Sequence, residues 1–333
     1  MDISRLVPLP VRISPGFCKL DAYGNSRGKG VAVCKDLLVI SSWKQLQVFA
    51  LPKDIARGDL GTPWELVHLR TLGDVAPMDF EFSNASGYMA FTDGCGEAMP
   101  SHLLLVTDGG KGEGRQAVHV VDVVHGTHVG YVAAPGTITH PRGVATRKSL
   151  AAVSCCGERG HNDVVRVFDG RDATWTPVRT IAALANGLRF TADGLGLVVA
   201  EIYNRCLRIF RVEAEDCSAD GGTFTFGYPL DVEECDIRDD DDGDRAGWVV
   251  CDHEGLVAVA GDTTGVGAVV RRRKFDLEWC CSALALVPGL GLVVRHRTGV
   301  QFLATPDAVA MAAMSFCKVA WMGAVCRAIF RFS

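Results

Sequence analysis

The chain contains no Cys-x-x-Cys pair, although it holds 13 cysteines. That absence and the odd count argue against a zinc finger and against a fully paired disulfide framework. Cys34, Cys206, Cys251, Cys280 and Cys281 sit inside apolar runs, where cysteine behaves as a small hydrophobe. They read as reduced thiols, and the expected compartment is the cytoplasm. There is no P-loop, no dinucleotide fingerprint and no His-Glu-x-x-His motif, so the common signatures of nucleotide binding and zinc proteolysis are missing. Aromatic residues are 8% of the chain and the net charge is −5. Nucleic-acid recognition needs stacking platforms and basic grooves, so no nucleic acid partner is expected. The first sixteen residues hold no unbroken apolar stretch, so they are not expected to act as a signal peptide.

What is present is repetition. Residues 187–212 hold three short apolar runs and two turns. Residues 188–191 alternate apolar and polar, as a half-buried strand does. Asp193-Gly194 makes a turn, 197–200 is a continuous apolar run, and 207–212 alternates again after the polar turn at 203–205. Three strands joined by tight turns form a meander, and a meander must stack on others like itself. The same triple pattern recurs from residues 30, 78, 143, 187, 230 and 282, with intervals of mostly 43–52 residues and one of 65. A fourth run follows most copies, at 64–72, 129–133, 175–181, 224–228 and 269–275. Six copies of four strands predict an all-β, six-bladed β-propeller over residues 1–305, followed by a helical tail over 306–333. In the second copy the first strand is assigned to 78–82.

The sixth copy lacks a fourth run after Ala304. The N-terminal runs 5–7 and 11–13 supply a spare strand, predicted to pair with the last blade and close the ring. Closure removes the exposed edge that would template aggregation. Pro8 and Pro10 suit an outer strand with one free side. Two insertions, at 93–101 and at the acidic run 239–244, read as loops, where binding function is usually placed. Thr305-Pro306-Asp307 starts a helix, with Thr as N-cap and Pro at the first position. Lys318 falls near the middle of the apolar stretch 308–326. A charge at bilayer centre costs about 3 kcal/mol on insertion scales, so the tail reads as a packed helix rather than an anchor.

The third and fourth copies resemble NHL repeats, a branch of the six-bladed propellers. The residues carrying the likeness are Gly187-Leu188-Arg189-Phe190, Asp193-Gly194, Val198-Val199-Ala200, Asn204-Arg205, Ile209-Phe210 and Pro141-Arg142-Gly143-Val144-Ala145. The resemblance implies a propeller over roughly residues 28–305. It says little of function, because fold does not fix activity.

Several constellations have plain structural roles as their simpler reading. Asn204-Arg205 reads as a turn plus a brace to the neighbouring blade. The acidic run lacks the EF-hand spacing and reads as a solvated loop. His119, His125 and His128 lie close together, with His102 and His140 near loop ends, but chance spacing is the simpler reading, so no metal is assigned. Cys155-Cys156 reads as core packing, and Arg271-Arg272-Arg273-Lys274 as a charged outer edge. No cofactor is expected. The favoured function is a non-catalytic, monomeric propeller binding a protein or peptide through loops at one face of the ring. The candidate binding residues are Asp79, Glu81, Arg142, Arg189, Asp231 and Glu233. The rival is a metal-dependent hydrolase, lactonase or lyase-like enzyme, as in related propellers that hold an ion at the channel mouth with inner-strand side chains. Asp79, Glu81, Asp231 and Glu233 are the candidates for that role.

Overall fold

The computed structural model describes residues 1–9, 11–13, 30–42, 45–51, 64–73, 88–92, 100, 102–109, 116–156, 163–171, 174–213, 226–239, 243–252, 255–262, 265–274, 281–296 and 299–308. They build six sheets that form the six blades of a β-propeller. Two N-terminal strands, β1 (Val7–Leu9) and β2 (Val11–Ile13), precede the first blade. Blade 1 is β3 (Val31–Cys34), β4 (Leu37–Ser42), β5 (Gln45–Ala50) and β6 (Trp64–Leu72). Blade 2 is β7 (Met89–Phe91), β8 (Leu103–Asp108), β9 (Ala117–Asp122) and β10 (Thr127–Ala133). Blade 3 is β11 (Pro141–Arg147), β12 (Leu150–Cys155), β13 (Val164–Asp169) and β14 (Thr176–Ala182). Blade 4 holds β15 (Ala185–Phe190), β16 (Gly196–Glu201) and β17 (Cys206–Arg211). Blade 5 is β18 (Pro229–Asp239), β19 (Gly243–Asp252), β20 (Gly255–Asp262) and β21 (Gly265–Lys274). Blade 6 is β22 (Cys281–Val287), β23 (Gly291–His296) and β24 (Gly299–Ala304), completed by β1.

The continuous apolar runs become the second strands of the blades, buried from end to end in β8 and β16. The alternating runs become strands with one polar face. Apolar faces of neighbouring blades pack together, so the core is a ring of inter-blade clusters. One joins Val39, Val48 and Phe91 to Leu104 between blades 1 and 2. Another joins Val198, Ile209 and Phe226 to Trp248 between blades 4 and 5.

Five findings correct the sequence reading. The N-terminal runs do not pair as one strand. Val7–Leu9 joins blade 6 antiparallel to β24, whereas Val11–Ile13 lies parallel to β6 and adds a fifth strand to blade 1. The chain start thus bridges the first and last blades, and Pro8 sits on the outermost strand of blade 6, where its missing N–H is harmless. In blade 2 the innermost strand is Met89–Phe91, while the run 78–82 lies outside the described residues. In blade 4 residues 226–228 are not strand, so that sheet has three strands among the described residues. The ends of the acidic run are strand rather than loop, because β18 and β19 carry the ladder out to Asp239 opposite Gly243, while 240–242 lie outside the described residues. Cys251 is disulfide-bonded, against the reading of it as a free thiol. Cys34, Cys155, Cys156, Cys206 and Cys235 form no disulfide.

The C-terminal helix begins as expected. Residues 306–308 are helical, and Thr305 Oγ1 accepts the Ala308 N–H at 3.3 Å. The rest of the tail lies outside the described residues. Among the described residues no helix is long and apolar enough to cross a membrane.

Candidate functional site

The innermost strands β3, β7, β11, β15, β18 and β22 surround a central cavity of about 860 Å³. Adjacent inner strands approach closely where they begin. A Cβ on Gly143 would lie 2.0 Å from the Asn186 carbonyl oxygen, and one on Gly187 would lie 2.6 Å from Asp231 Cα. Glycine at those two positions lets blades 3, 4 and 5 converge. Thr107 Oγ1 donates to the Arg142 carbonyl at 2.7 Å, joining blade 2 to blade 3. At this end the cavity is tied across by Tyr88, whose hydroxyl donates to the Leu230 carbonyl at 2.9 Å.

The opposite end is the mouth. Every turn from an innermost strand to its neighbour lies there, since the blades share one strand order. Lys35, Thr92, Arg147, Ala192 and Asp236 line it. Arg5 and Asp307 line it too and are exposed. Thr92, just ahead of the 93–101 insertion, donates from Oγ1 to the carbonyl of Pro100 near the insertion's end at 2.7 Å. The β18–β19 hairpin also rises at this end. Its extension is anchored by Ile237, buried in one cluster with Leu6. Gly247 permits it, because a Cβ there would sit 2.4 Å from the Val259 carbonyl oxygen.

The wall carries charge of both signs. Arg189 on β15 pairs with Glu233 on β18, locking blade 4 to blade 5. Burial pushes the Glu233 carboxyl above the usual carboxylate range, and Arg189 opposes that push. Burial also pushes Asp231 up to about 7, against backbone N–H bonds from Leu284 and Val232 that favour its charged form. Those bonds are 3.0 Å each, one to each carboxylate oxygen. Glu234 is raised as well, chiefly by burial. Arg147 Nη2 donates to the Ala192 carbonyl at the rim.

Arg189, Asp231 and Glu233 therefore meet in the cavity. Arg142 is not among its lining residues, and its charge instead opposes the rise of the Cys156 pKa. Asp79 and Glu81 lie outside the described residues. Sequence reasoning missed Arg147 and Glu234. The register shift between Pro141 and Val144 decides how β11 presents its side chains, and no composition signal reveals it.

The remaining candidates resolve into structural roles or separate groups. Arg205, not Asn204, takes the left-handed conformation at φ 53°, and it stacks over the Tyr228 ring at 5.0 Å ahead of β18. Asn204 Nδ2 donates to buried Glu201 at 2.6 Å. Burial raises Cys155 to about 12 and lifts Cys156 too, so neither is a ready thiolate. Arg273 is half-buried on the outer strand β21 and donates to the Leu6 carbonyl. The three histidines divide. His119 Nδ1 lies 3.3 Å from His128 Nε2, beside Tyr131, with His119 Nε2 3.6 Å from Asp108. His125 instead faces Asp122 and His102. His140 Nδ1 lies 3.1 Å from Gln116 Nε2 and joins neither group.

No protein-family model matches this chain, and no curated protein matches it significantly. Among solved structures it is similar to the Dos1 propeller at 11% identity and a TM-score of 0.47, covering 82% of this chain and 66% of that one. It is similar to Kuenenia stuttgartiensis hydrazine synthase at 12% identity and a TM-score of 0.49, covering 83% of each chain.

Proposed function

We infer that this chain is a non-catalytic binding propeller, monomeric, that takes a protein or peptide segment at the mouth of its central channel. The supporting observation is the mouth itself. A cavity of about 860 Å³, walled by Arg147, Arg189, Glu233 and Glu234, opens at the end where the β18–β19 hairpin rises. A wall with both charge signs suits an extended segment, whose backbone and side chains offer donors and acceptors together.

The rival reading, a metal-dependent hydrolase or lyase at the channel, draws less support. Asp231 and Glu233 spend their oxygens on the protein's own donors, Asp231 on Leu284 and Val232 and Glu233 on Arg189. A metal ligand needs a lone pair aimed at the ion.

The test removes the hairpin tip. Residues 238–244 are replaced by Asn-Gly, which supports a two-residue hairpin turn. Binding of a partner first captured by the intact protein is then measured by calorimetry. A loss of about tenfold or more, with an unchanged circular dichroism spectrum, is expected, and Arg189→Gln is expected to weaken the same partner. Unchanged affinity in both variants contradicts the proposal.

A further inference from the structure

The geometry points to a divalent transition-metal site on blade 2, at the mouth end of the ring, formed by His102, Asp122 and His125. It stands apart from the channel and does not rest on the binding role proposed above. His102 immediately precedes β8, and Asp122 ends β9. The β8–β9 register sets Leu103 opposite Asp122, which brings His102 beside a residue twenty positions away. His125 comes from the turn between β9 and β10.

Asp122 is held for the purpose by its own turn. Its Oδ1 accepts the N–H groups of Val124 at 3.0 Å and His125 at 2.8 Å. That fixes the carboxylate and leaves Oδ2 toward the two rings, 2.7 Å from His125 Nδ1 and 3.2 Å from His102 Nε2. The rings stand 5.9 Å apart at 71°, so they converge on Asp122 from different directions. All three ligand atoms lie within 4.8 Å of one another.

Ligands of a tetrahedral zinc at about 2.0–2.2 Å are roughly 3.3–3.6 Å apart. His102 and Asp122 already have nearly that separation. The His125 side chain is 68% exposed and free to swing outward by the fraction of an ångström required. Two imidazoles and one carboxylate suit zinc, cobalt or nickel, whereas calcium and magnesium take oxygen ligands. The backbone N–H groups on Oδ1 serve as the outer partners that orient such a ligand. With three protein ligands, the remaining coordination position is left to water or to a donor from another molecule. An ion seated here ties the start of β8 to the β9–β10 turn.

Calorimetry with zinc alone, on chelator-treated protein, tests the site, with cobalt absorption as a second readout. One ion per chain is expected, with a cobalt spectrum lacking a thiolate charge-transfer band. His102→Ala and His125→Ala are each expected to weaken zinc about tenfold or more. Asp122→Asn separates ligation from folding, because its side-chain oxygen caps the same turn. It should lose affinity while its melting temperature in chelator stays that of the wild type. Absence of stoichiometric zinc overturns the site. So does unchanged affinity in the His102→Ala/His125→Ala double variant, or a thiolate band that assigns the ion to cysteine.

Discussion

Asn186 of blade 4 and Tyr88 of blade 2 meet across the closed end of the channel, where Asn186 Nδ2 donates to the Tyr88 hydroxyl at 2.6 Å. Both also donate to the Leu230 carbonyl of blade 5, Asn186 at 3.0 Å and Tyr88 at 2.9 Å. Blade 2 is thus joined across the channel to the consecutive blades 4 and 5 by two side chains. Tyr88→Phe leaves Asn186 its bond to Leu230 and should cost about 1 kcal/mol, whereas Asn186→Leu removes both of its bonds and should cost about 1–3 kcal/mol. Urea unfolding of the two variants checks the order, and an Asn186→Leu protein as stable as the wild type would contradict the tie.

Close approach of the inner strands has its own test. Gly143→Ala places a Cβ 2.0 Å from the Asn186 carbonyl oxygen, and that backbone cannot yield without separating two blades. A loss of about 1–3 kcal/mol or more is expected. The control is Gly130→Ala on β10, where a Cβ meets nothing within 4 Å, and denaturant midpoints should show no loss there.

Asp231 sets a pH dependence with a definite sign. Its pKa rises from the ordinary 3.8 to about 7 on folding, chiefly by burial. Between those values the folded state holds a proton that the unfolded chain has released. Stability should therefore fall as pH rises from about 4 to about 7, then level off. Glu233 and Glu234 are raised as well and act in the same direction. Urea midpoints at pH 5 and pH 8 measure the fall. Asp231→Asn should shrink it, while lowering stability at pH 5, because an amide nitrogen cannot accept the N–H now bound by Asp231 Oδ2. An unchanged pH slope in that variant would assign the dependence elsewhere.

Ring closure yields a further expectation. Deleting residues 1–13 removes β1 and β2, and so uncovers β24 on one side and β6 on the other. Two exposed strand edges template association. Light scattering should show aggregation of the shortened chain at concentrations where the full chain stays dispersed. A shortened chain that remains dispersed with its blades intact would show closure to be dispensable.

Much of this architecture was legible. The Asp193-Gly194 turn is there, with Gly194 at φ 76° and Asp193 Oδ1 accepting the Leu195 N–H at 2.9 Å. The strands around it lie where their periodicity placed them, because half-burial writes itself into side-chain alternation. Met89–Phe91 was missed because three apolar residues carry no period. The β18–β19 extension was missed because a backbone ladder is indifferent to the acidic side chains that made the run look like a loop. Arg189 and Glu233 were both named as binding candidates, but their pairing depends on how two blades dock, which no local pattern records. The likeness of His102 and Asp122 to a ligand pair appears only once the β8–β9 register is known.

The most direct measurement is photo-crosslinking from inside the channel mouth. A photoreactive residue at Asp307, exposed and lining the cavity, is compared with one at Val178, 53% exposed on the outer strand β14. A crosslink to a peptide segment from position 307 and none from 178 is the expected result. Crosslinks from 178 alone, or equally from both, would contradict binding at the mouth.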